Sequence, residues 1–249
     1  LKGTYNLIKI FLDTADINDI KKYNDNLISG LTTNPSLAKK AGVTDYSQFI
    51  ESVLELCDNK PVSFEVLSDK PEEMVEQANV IADYGENVYV KLPIKNTDGS
   101  LYLDSYYFTN HLSIGVDLNI TAITTFNQVV EAISFLTKLQ KGHHIISIFA
   151  GRIADCGHDP EELIQKSKEY ILNEDIPNIQ VLWASTREVF NIYQADRSGA
   201  DIITCTPAVL DKFISLRNMN LEDYATLTSQ LFFDDAQKAG LKLCLEKQE

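Results

Sequence analysis

Eight short apolar runs recur along this chain, each followed by a stretch of different periodicity, and that alternation limits the folds open to it. The runs are IKIFLD (8–13), ISGLTT (28–33), VSFEV (62–66), VYVKLP (88–93), VDLNITA (116–122), HIISIFA (144–150), IQVLWAS (179–185) and DIITCT (201–206). Several are rich in β-branched and aromatic residues, which suit a pleated surface. Between them, apolar residues recur at three- and four-residue steps, as they do on one face of a helix. Met74, Val75, Ala78, Ile81 and Ala82 form one such face, and Val129, Ile133, Leu136 and Leu139 another. Leu163, Ser167, Tyr170 and Ile171 form a third. Pro71 reads as a first helical residue with Asp69 shortly before it, and Asp159 reads as a cap before Pro160. Val189, Ile192 and Tyr193 begin a seventh helix, and residues 207–216 form an eighth.

Strand then helix, eight times, implies parallel strands joined by crossover helices. A doubly wound open sheet would give a similar pattern. The count of eight and the length of 249 residues favour a (β/α)8 barrel, an α/β fold. The barrel is expected over about residues 8–216, with a C-terminal helical extension over about 220–245, either one helix or two joined near Gly240. No linker or composition break divides the chain, so residues 1–249 read as a single domain.

The formal net charge of −14 argues against nucleic acid, whose phosphates call for a surplus of Lys and Arg. It argues equally against an anionic membrane surface. A small anionic substrate stays open, because a few cations in one cleft can hold a phosphate. Cys57, Cys156, Cys205 and Cys244 include no C-x-x-C pair, which points to free thiols in a reducing cytoplasm. No apolar run approaches the ~20 residues of a membrane span, and the N-terminus lacks the pattern of a signal peptide.

Barrel enzymes carry their chemistry at the C-terminal ends of the strands. Here those ends carry Asp13; Thr32, Thr33 and Asn34; Glu65; Lys91; Asn119 and Thr121; Ser147, with Arg152 just beyond; Ser185 and Arg187; and Thr204 and Thr206. Every strand ends polar after an apolar body. Lys91 lies in V-Y-V-K-L-P, apolar on both sides. A lysine there loses solvation, which favours its neutral form, and the neutral amine attacks carbonyls. The alternative is an amine that pairs with Asp13 or Glu65, or that reaches solvent. Asp13 and Glu65 are candidates for proton transfer, with a buried ion pair to Lys91 as the plain alternative. Thr121 either helps Glu65 hold a water or is an ordinary β-branched strand residue. Arg152 and Arg187 follow neighbouring strands, and Ser185 adds a hydroxyl; together they suit two-point contact with phosphate. Taken singly, each arginine reads as a surface residue. His111, His143, His144 and His158 have no metal-ligand spacing, and no Gly-rich dinucleotide loop occurs, so neither metal nor nucleotide cofactor is expected.

Six segments resemble the transaldolases, in the short bacterial and archaeal group that includes the fructose-6-phosphate aldolases. They are FLDTADI (11–17), GLTTNPS (30–36), VYVKLP (88–93), LNITA (118–122), SIFAGRI (147–153) and WASTR (183–187), and the resemblance covers about residues 9 to 240. It implies a class I mechanism with no metal, in which Lys91 is the Schiff-base lysine. Asp13 then matches the acid/base that acts on the hydroxyl beside the breaking bond. Glu65 and Thr121 match the pair that positions the water of imine formation and hydrolysis. Thr32, Asn34, Asn119 and Ser147 match residues that contact the dihydroxyacetone part, and Arg152, Ser185 and Arg187 match the phosphate site. The resemblance also implies sugar-phosphate substrates and a homo-oligomer, a ring of five or ten subunits.

Within that group, Glu65, Asn119 and Phe149 look transaldolase-like: the aldolases typically carry Gln and Tyr at the first and third positions and lack the Asn. A phenol at 149 would protonate the enamine and release dihydroxyacetone; a phenyl ring cannot. Thr186, where transaldolases commonly carry Phe, departs from the pattern and leaves the exact sugar open. The expected activity is transfer of a dihydroxyacetone unit between sugar phosphates. Aldolase cleavage, a transferase for another anionic sugar and a non-catalytic sugar-phosphate-binding barrel are the alternatives.

Overall fold

The structure is a computed structural model, and it describes residues 8–23, 27–103, 105–139 and 141–243. Two compact units divide the chain, Leu1–Leu210 and Asp211–Glu249. The first holds eight strands: β1 (Lys9–Asp13), β2 (Gly30–Thr32), β3 (Val62–Glu65), β4 (Val88–Pro93), β5 (Asp117–Ile123), β6 (His144–Ile148), β7 (Ile179–Trp183) and β8 (Ile202–Cys205). They close in sequence order, all pairs parallel, with β8 returning to β1. The expected (β/α)8 barrel is therefore the fold, and the open-sheet alternative falls away.

The helices are α1 (Ile17–Tyr23), α2 (Pro35–Lys40), α3 (Tyr46–Leu56), α4 (Pro71–Ala82), α5 (Tyr106–His111), α6 (Phe126–Leu136), α7 (Ala150–Asp155), α8 (Pro160–Asn173), α9 (Phe190–Ser198) and α10 (Pro207–Leu216). Two of the periodic faces read from the sequence are buried: Met74, Val75, Ala78 and Ile81 in α4, and Val129, Ile133 and Leu136 in α6. In α8 Ser167 and Ile171 are buried as expected, but Ile164 is buried with them, and Leu163 and Tyr170 are half-buried. Asp159 caps α8 by accepting from the Glu161 N–H. Asp69 does not cap α4; Lys70 holds that position with no side-chain bond, and Asp69 instead accepts from the Thr97 hydroxyl. The six-residue helices α2, α5 and α7 are too short to leave a periodic trace.

Side chains two residues apart on a strand point the same way, and this builds the barrel interior in layers. Phe11, Ile145, Leu182, Ala184 and Ile202 form a buried cluster, with Tyr89 and Phe149 packed against it. Gly30 makes room for this plug: a Cβ there would lie 2.5 Å from the Phe11 ring. Two residues further along their strands come Asp13, Thr32, Lys91, Ser147 and Thr204. The plug closes the barrel, and the polar layer lies on its C-terminal side.

In the second unit, α11 (Leu221–Lys238) starts at Asn220, whose side chain accepts from the Glu222 N–H. Glu222 and Asp223 near its start and Lys238 near its end suit the helix dipole. Of the two expected forms of the extension, one helix or two joined near Gly240, the described residues show one: it ends at Lys238, Gly240 has φ +62° and the chain is not helical from Ala239 to residue 243, the last described. No helix among the described residues is long and apolar enough to cross a membrane.

Candidate active site

Parallel pairing sets Glu65 beside Lys91 and Lys91 beside Asn119, so three neighbouring strands present polar side chains in one row. Lys91 is buried, 6% exposed, and its Nζ lies 3.2 Å from Glu65 Oε2. The same Nζ donates to the Thr33 carbonyl at 2.8 Å. The lysine thus turns into the barrel and does not reach solvent. A pair this deep stands or falls on its hydrogen bonds, because the desolvation cost offsets much of the Coulombic gain.

Asp13 completes this side. Its carboxylate accepts from the Thr32 hydroxyl at 2.8 Å, and Thr32 shares a 2.5 Å contact with the Thr204 hydroxyl. Burial pushes the Asp13 carboxyl above the ordinary carboxylate range, against the opposing pull of the Lys91 charge and the Thr32 bond. A carboxyl so tuned exchanges a proton closer to neutrality than a surface aspartate does. Deeper still, Ser147 Oγ donates to Asn119 Oδ1 at 2.7 Å, and Asn119 Nδ2 donates to Ser63 Oγ at 3.0 Å. Asn119 is thereby locked in one orientation. The Thr121 hydroxyl is buried and has no hydrogen-bond partner among the described residues. It sits where the β5–β6 register shifts between Ile120 and Ile123, beside Ala122 at φ +62°. Asn34 is partly committed elsewhere: its Oδ1 caps α2 by accepting from the Leu37 N–H at 3.0 Å.

The arginines occupy a different setting. β6 ends at Ile148, earlier than its sequence run implied, and Phe149 becomes the residue that opens α7. Arg152 lies on that helix with its guanidinium 4.7 Å from the Phe149 ring centre. Arg187 follows β7 and gives Asp155, at the end of α7, two bonds, from Nη2 at 2.6 Å and from Nε at 3.4 Å. The Arg187 bond and the charges of both arginines hold the Asp155 carboxyl below its usual range. Ser185 lies at φ +64°, a conformation that costs a non-glycine residue about 1 kcal/mol or more. Gly151 permits this turn to approach α7, since a Cβ there would fall 1.8 Å from the Ser185 carbonyl oxygen. Thr186 is buried and its hydroxyl donates to the Thr204 carbonyl at 2.6 Å, so this departure from the family pattern is spent on the barrel wall.

Several neighbours escaped the sequence reading. Ser63 was legible in principle, two residues before Glu65 on the same face. Asp155, Asn191, whose Oδ1 accepts from the Arg187 and Glu188 N–H groups, and Tyr46, bonded to the Glu65 backbone, left no local signal. The expected position of His144 holds: it begins β6, at the end opposite these groups. Its Nδ1 accepts from the Leu118 N–H, and burial pulls it down to about 4. Burial pushes the Cys205 thiol up to about 12, which makes it a poor thiolate source. Cys244 lies outside the described residues.

Comparison of the sequence with family models and with known proteins points to one family. The family model described as Transaldolase/Fructose-6-phosphate aldolase matches residues 10–243. A protein named "Probable transaldolase" from Nitrosopumilus maritimus (strain SCM1) is 35% identical over 222 residues, covering 87% of this chain and 93% of its own. Another of the same name, from Mesorhizobium japonicum (strain LMG 29417 / CECT 9101 / MAFF 303099), is 36% identical over 239 residues, covering 95% of this chain and all (100%) of its own. A third, from Thermoplasma volcanium (strain ATCC 51530 / DSM 4299 / JCM 9571 / NBRC 15438 / GSS1), is 36% identical over 210 residues, with 83% and 88% covered.

Proposed function

Since the chain belongs to the Transaldolase/Fructose-6-phosphate aldolase family, we propose that it transfers a dihydroxyacetone unit from a ketose phosphate, such as fructose 6-phosphate, to an aldose phosphate, such as erythrose 4-phosphate. The observation that carries this reading is a buried amine, Lys91 Nζ, held 3.2 Å from the Glu65 carboxylate on the C-terminal side of the barrel plug.

The Lys91 amine attacks the ketose C2 carbonyl and forms a carbinolamine, which loses water to give the iminium. Glu65, with the unpartnered Thr121 hydroxyl, handles that water and its protons. Asp13 then takes the proton of the C4 hydroxyl as the C3–C4 bond breaks. The bond's electron pair moves toward the iminium nitrogen and leaves an enamine on Lys91, and the aldose phosphate departs. An incoming aldehyde receives the C3 carbon of the enamine, Asp13 returns its proton to the new alkoxide, and water releases the product ketose. Thr32, Asn34, Asn119 and Ser147 hold the hydroxyls of the three-carbon unit; Arg152, Ser185 and Arg187 take the phosphate. Phe149 has no proton to give the enamine, so the intermediate waits for an acceptor.

Borohydride added with fructose 6-phosphate is expected to leave a reduced three-carbon adduct on the peptide containing Lys91. Absence of any adduct with a panel of ketose phosphates would reject the reading in favour of a non-catalytic barrel. Thr186 supports a second reading, cleavage or transfer of another anionic sugar, because a threonine turned into the barrel wall leaves that flank without a large ring. Measuring free dihydroxyacetone with and without an acceptor aldehyde separates the two: release that needs no acceptor means an aldolase.

A further inference from the structure

The bond that Lys91 makes to a main-chain carbonyl is unusual for a barrel strand, because a carbonyl at a strand end ordinarily serves the neighbouring strand. The register explains how it becomes available. β2 and β3 pair only at Leu31 with Val62 and Thr32 with Ser63. Along this ladder the Leu31 N–H donates to the Pro61 carbonyl at 2.8 Å and the Thr33 N–H to the Ser63 carbonyl at 3.0 Å. Continued by one step, a parallel ladder would send the Glu65 N–H to the Thr33 carbonyl, and then the residue 35 N–H to the Glu65 carbonyl. Residue 35 is proline and has no N–H.

Both orphaned groups of Glu65 turn to one phenol. The Glu65 N–H donates to Tyr46 Oη at 3.1 Å, and the Tyr46 hydroxyl donates to the Glu65 carbonyl at 3.1 Å. Tyr46 is the first residue of α3, whose start is fixed by Asp45 accepting from the Gln48 N–H. Its ring lies 5.8 Å from Phe49, which meets Phe64 edge-on at 6.0 Å. Burial pushes the phenol up to about 12, so it keeps its proton at neutral pH. The Thr33 carbonyl, relieved of its ladder partner, accepts from Lys91 Nζ at 2.8 Å.

We infer that Tyr46 is a positioning residue for Lys91: by taking both ladder bonds of Glu65, its hydroxyl leaves the Thr33 carbonyl to hold the ε-amine beside the Glu65 carboxylate. This rests on Lys91 being the nucleophile. The amine needs one fixed direction from which to meet a carbonyl, and small errors of placement cost rate steeply. A second acceptor, set by the backbone, supplies that direction where Glu65 alone would let the amine pivot.

Tyr46→Phe tests it, since the ring and its packing stay and only the hydroxyl goes. The Glu65 N–H is then expected to close the ladder onto the Thr33 carbonyl, and a crystal structure should find Lys91 Nζ withdrawn from that oxygen. The rate of borohydride-trapped adduct formation at saturating fructose 6-phosphate should fall about tenfold, with KM changed less than about twofold. A residue that only fills space would be replaced by phenylalanine without loss. Wild-type trapping rates in Tyr46→Phe, with the Thr33–Lys91 bond intact, would overturn the inference. If the wild type itself gives no adduct, the proposed function fails, and the crystal structure alone decides for Tyr46: a closed ladder upholds its control of Lys91, and an unchanged one removes it.

Discussion

The lysine side of the candidate site and its arginine side are built on different principles. Lys91, Glu65, Asn119 and Asp13 stand on strands, are wholly or largely buried and are held by bonds to groups on other strands. Arg152 and Arg187 stand on α7 and on the loop after β7; both are exposed, and Arg187 is paired with an exposed aspartate. A group that must form and break a covalent bond gains from a dry, fixed setting, where each hydrogen bond counts for more. A group that captures an ion from water gains from access, and an exposed ion pair such as Arg187 with Asp155 contributes little and yields readily to a ligand. The contrast predicts that damage on the lysine side appears in turnover and damage on the arginine side in affinity.

The largest effect is expected from Lys91→Met, which keeps the length of the side chain and removes the amine. Turnover should drop by at least about a thousandfold with no borohydride adduct, as covalent catalysis requires. Circular dichroism should stay that of the wild type.

Asp13→Asn comes next, with a loss of about a hundredfold in kcat, in the range of general acid–base contributions. It carries a second signature. Burial raises the Asp13 carboxyl in the folded state above its reference of 3.8. Below that reference both folded and unfolded chains are protonated and nothing is lost. As pH rises through the raised folded value, the wild type must ionise a buried group, and stability declines. Asn avoids this, so Asp13→Asn should melt higher than the wild type at neutral pH, with the gap closing as pH falls toward 3.8. A variant that loses both activity and stability at neutral pH would refute this account of Asp13.

On the other side, Arg187→Ala should raise KM for phosphorylated ketoses about tenfold or somewhat more, the worth of one charge-assisted bond, and leave kcat within about threefold. A non-phosphorylated ketose should be handled alike by variant and wild type. A collapse in kcat instead would show that the two sides are not separable.

The smallest effect is expected where the sides meet, at Phe149, which packs on the barrel plug and also carries Arg152 over its ring. Phe149→Tyr should increase acceptor-independent release of dihydroxyacetone a few-fold with little change in transfer, read in the same product assay. No increase would mean that the phenol cannot reach the enamine from this position.

Much of this molecule was legible along the chain because the information is local. An apolar strand body ending in a polar residue, and a helix face repeating every three or four positions, are properties of neighbours in sequence, and all eight strands lie within or one residue beyond the runs that the alternation marks. The position of Lys91 near the end of β4, and of Asp13 and Glu65 at the ends of β1 and β3, follows from the same pattern. What lies within each strand says nothing about its height against the next. That Glu65, Lys91 and Asn119 share a row is a matter of register, which appears only when the strands pair in the closed barrel. The glycine that lets Ser185 approach α7 and the Asp155 grip on Arg187 depend on elements brought together by folding. Tyr46 is the clearest case. Pro35 announces in the sequence that a ladder bond is missing, but only the packing of α3 over the end of β3 decides that a phenol fills the gap and that the Thr33 carbonyl is left for the lysine.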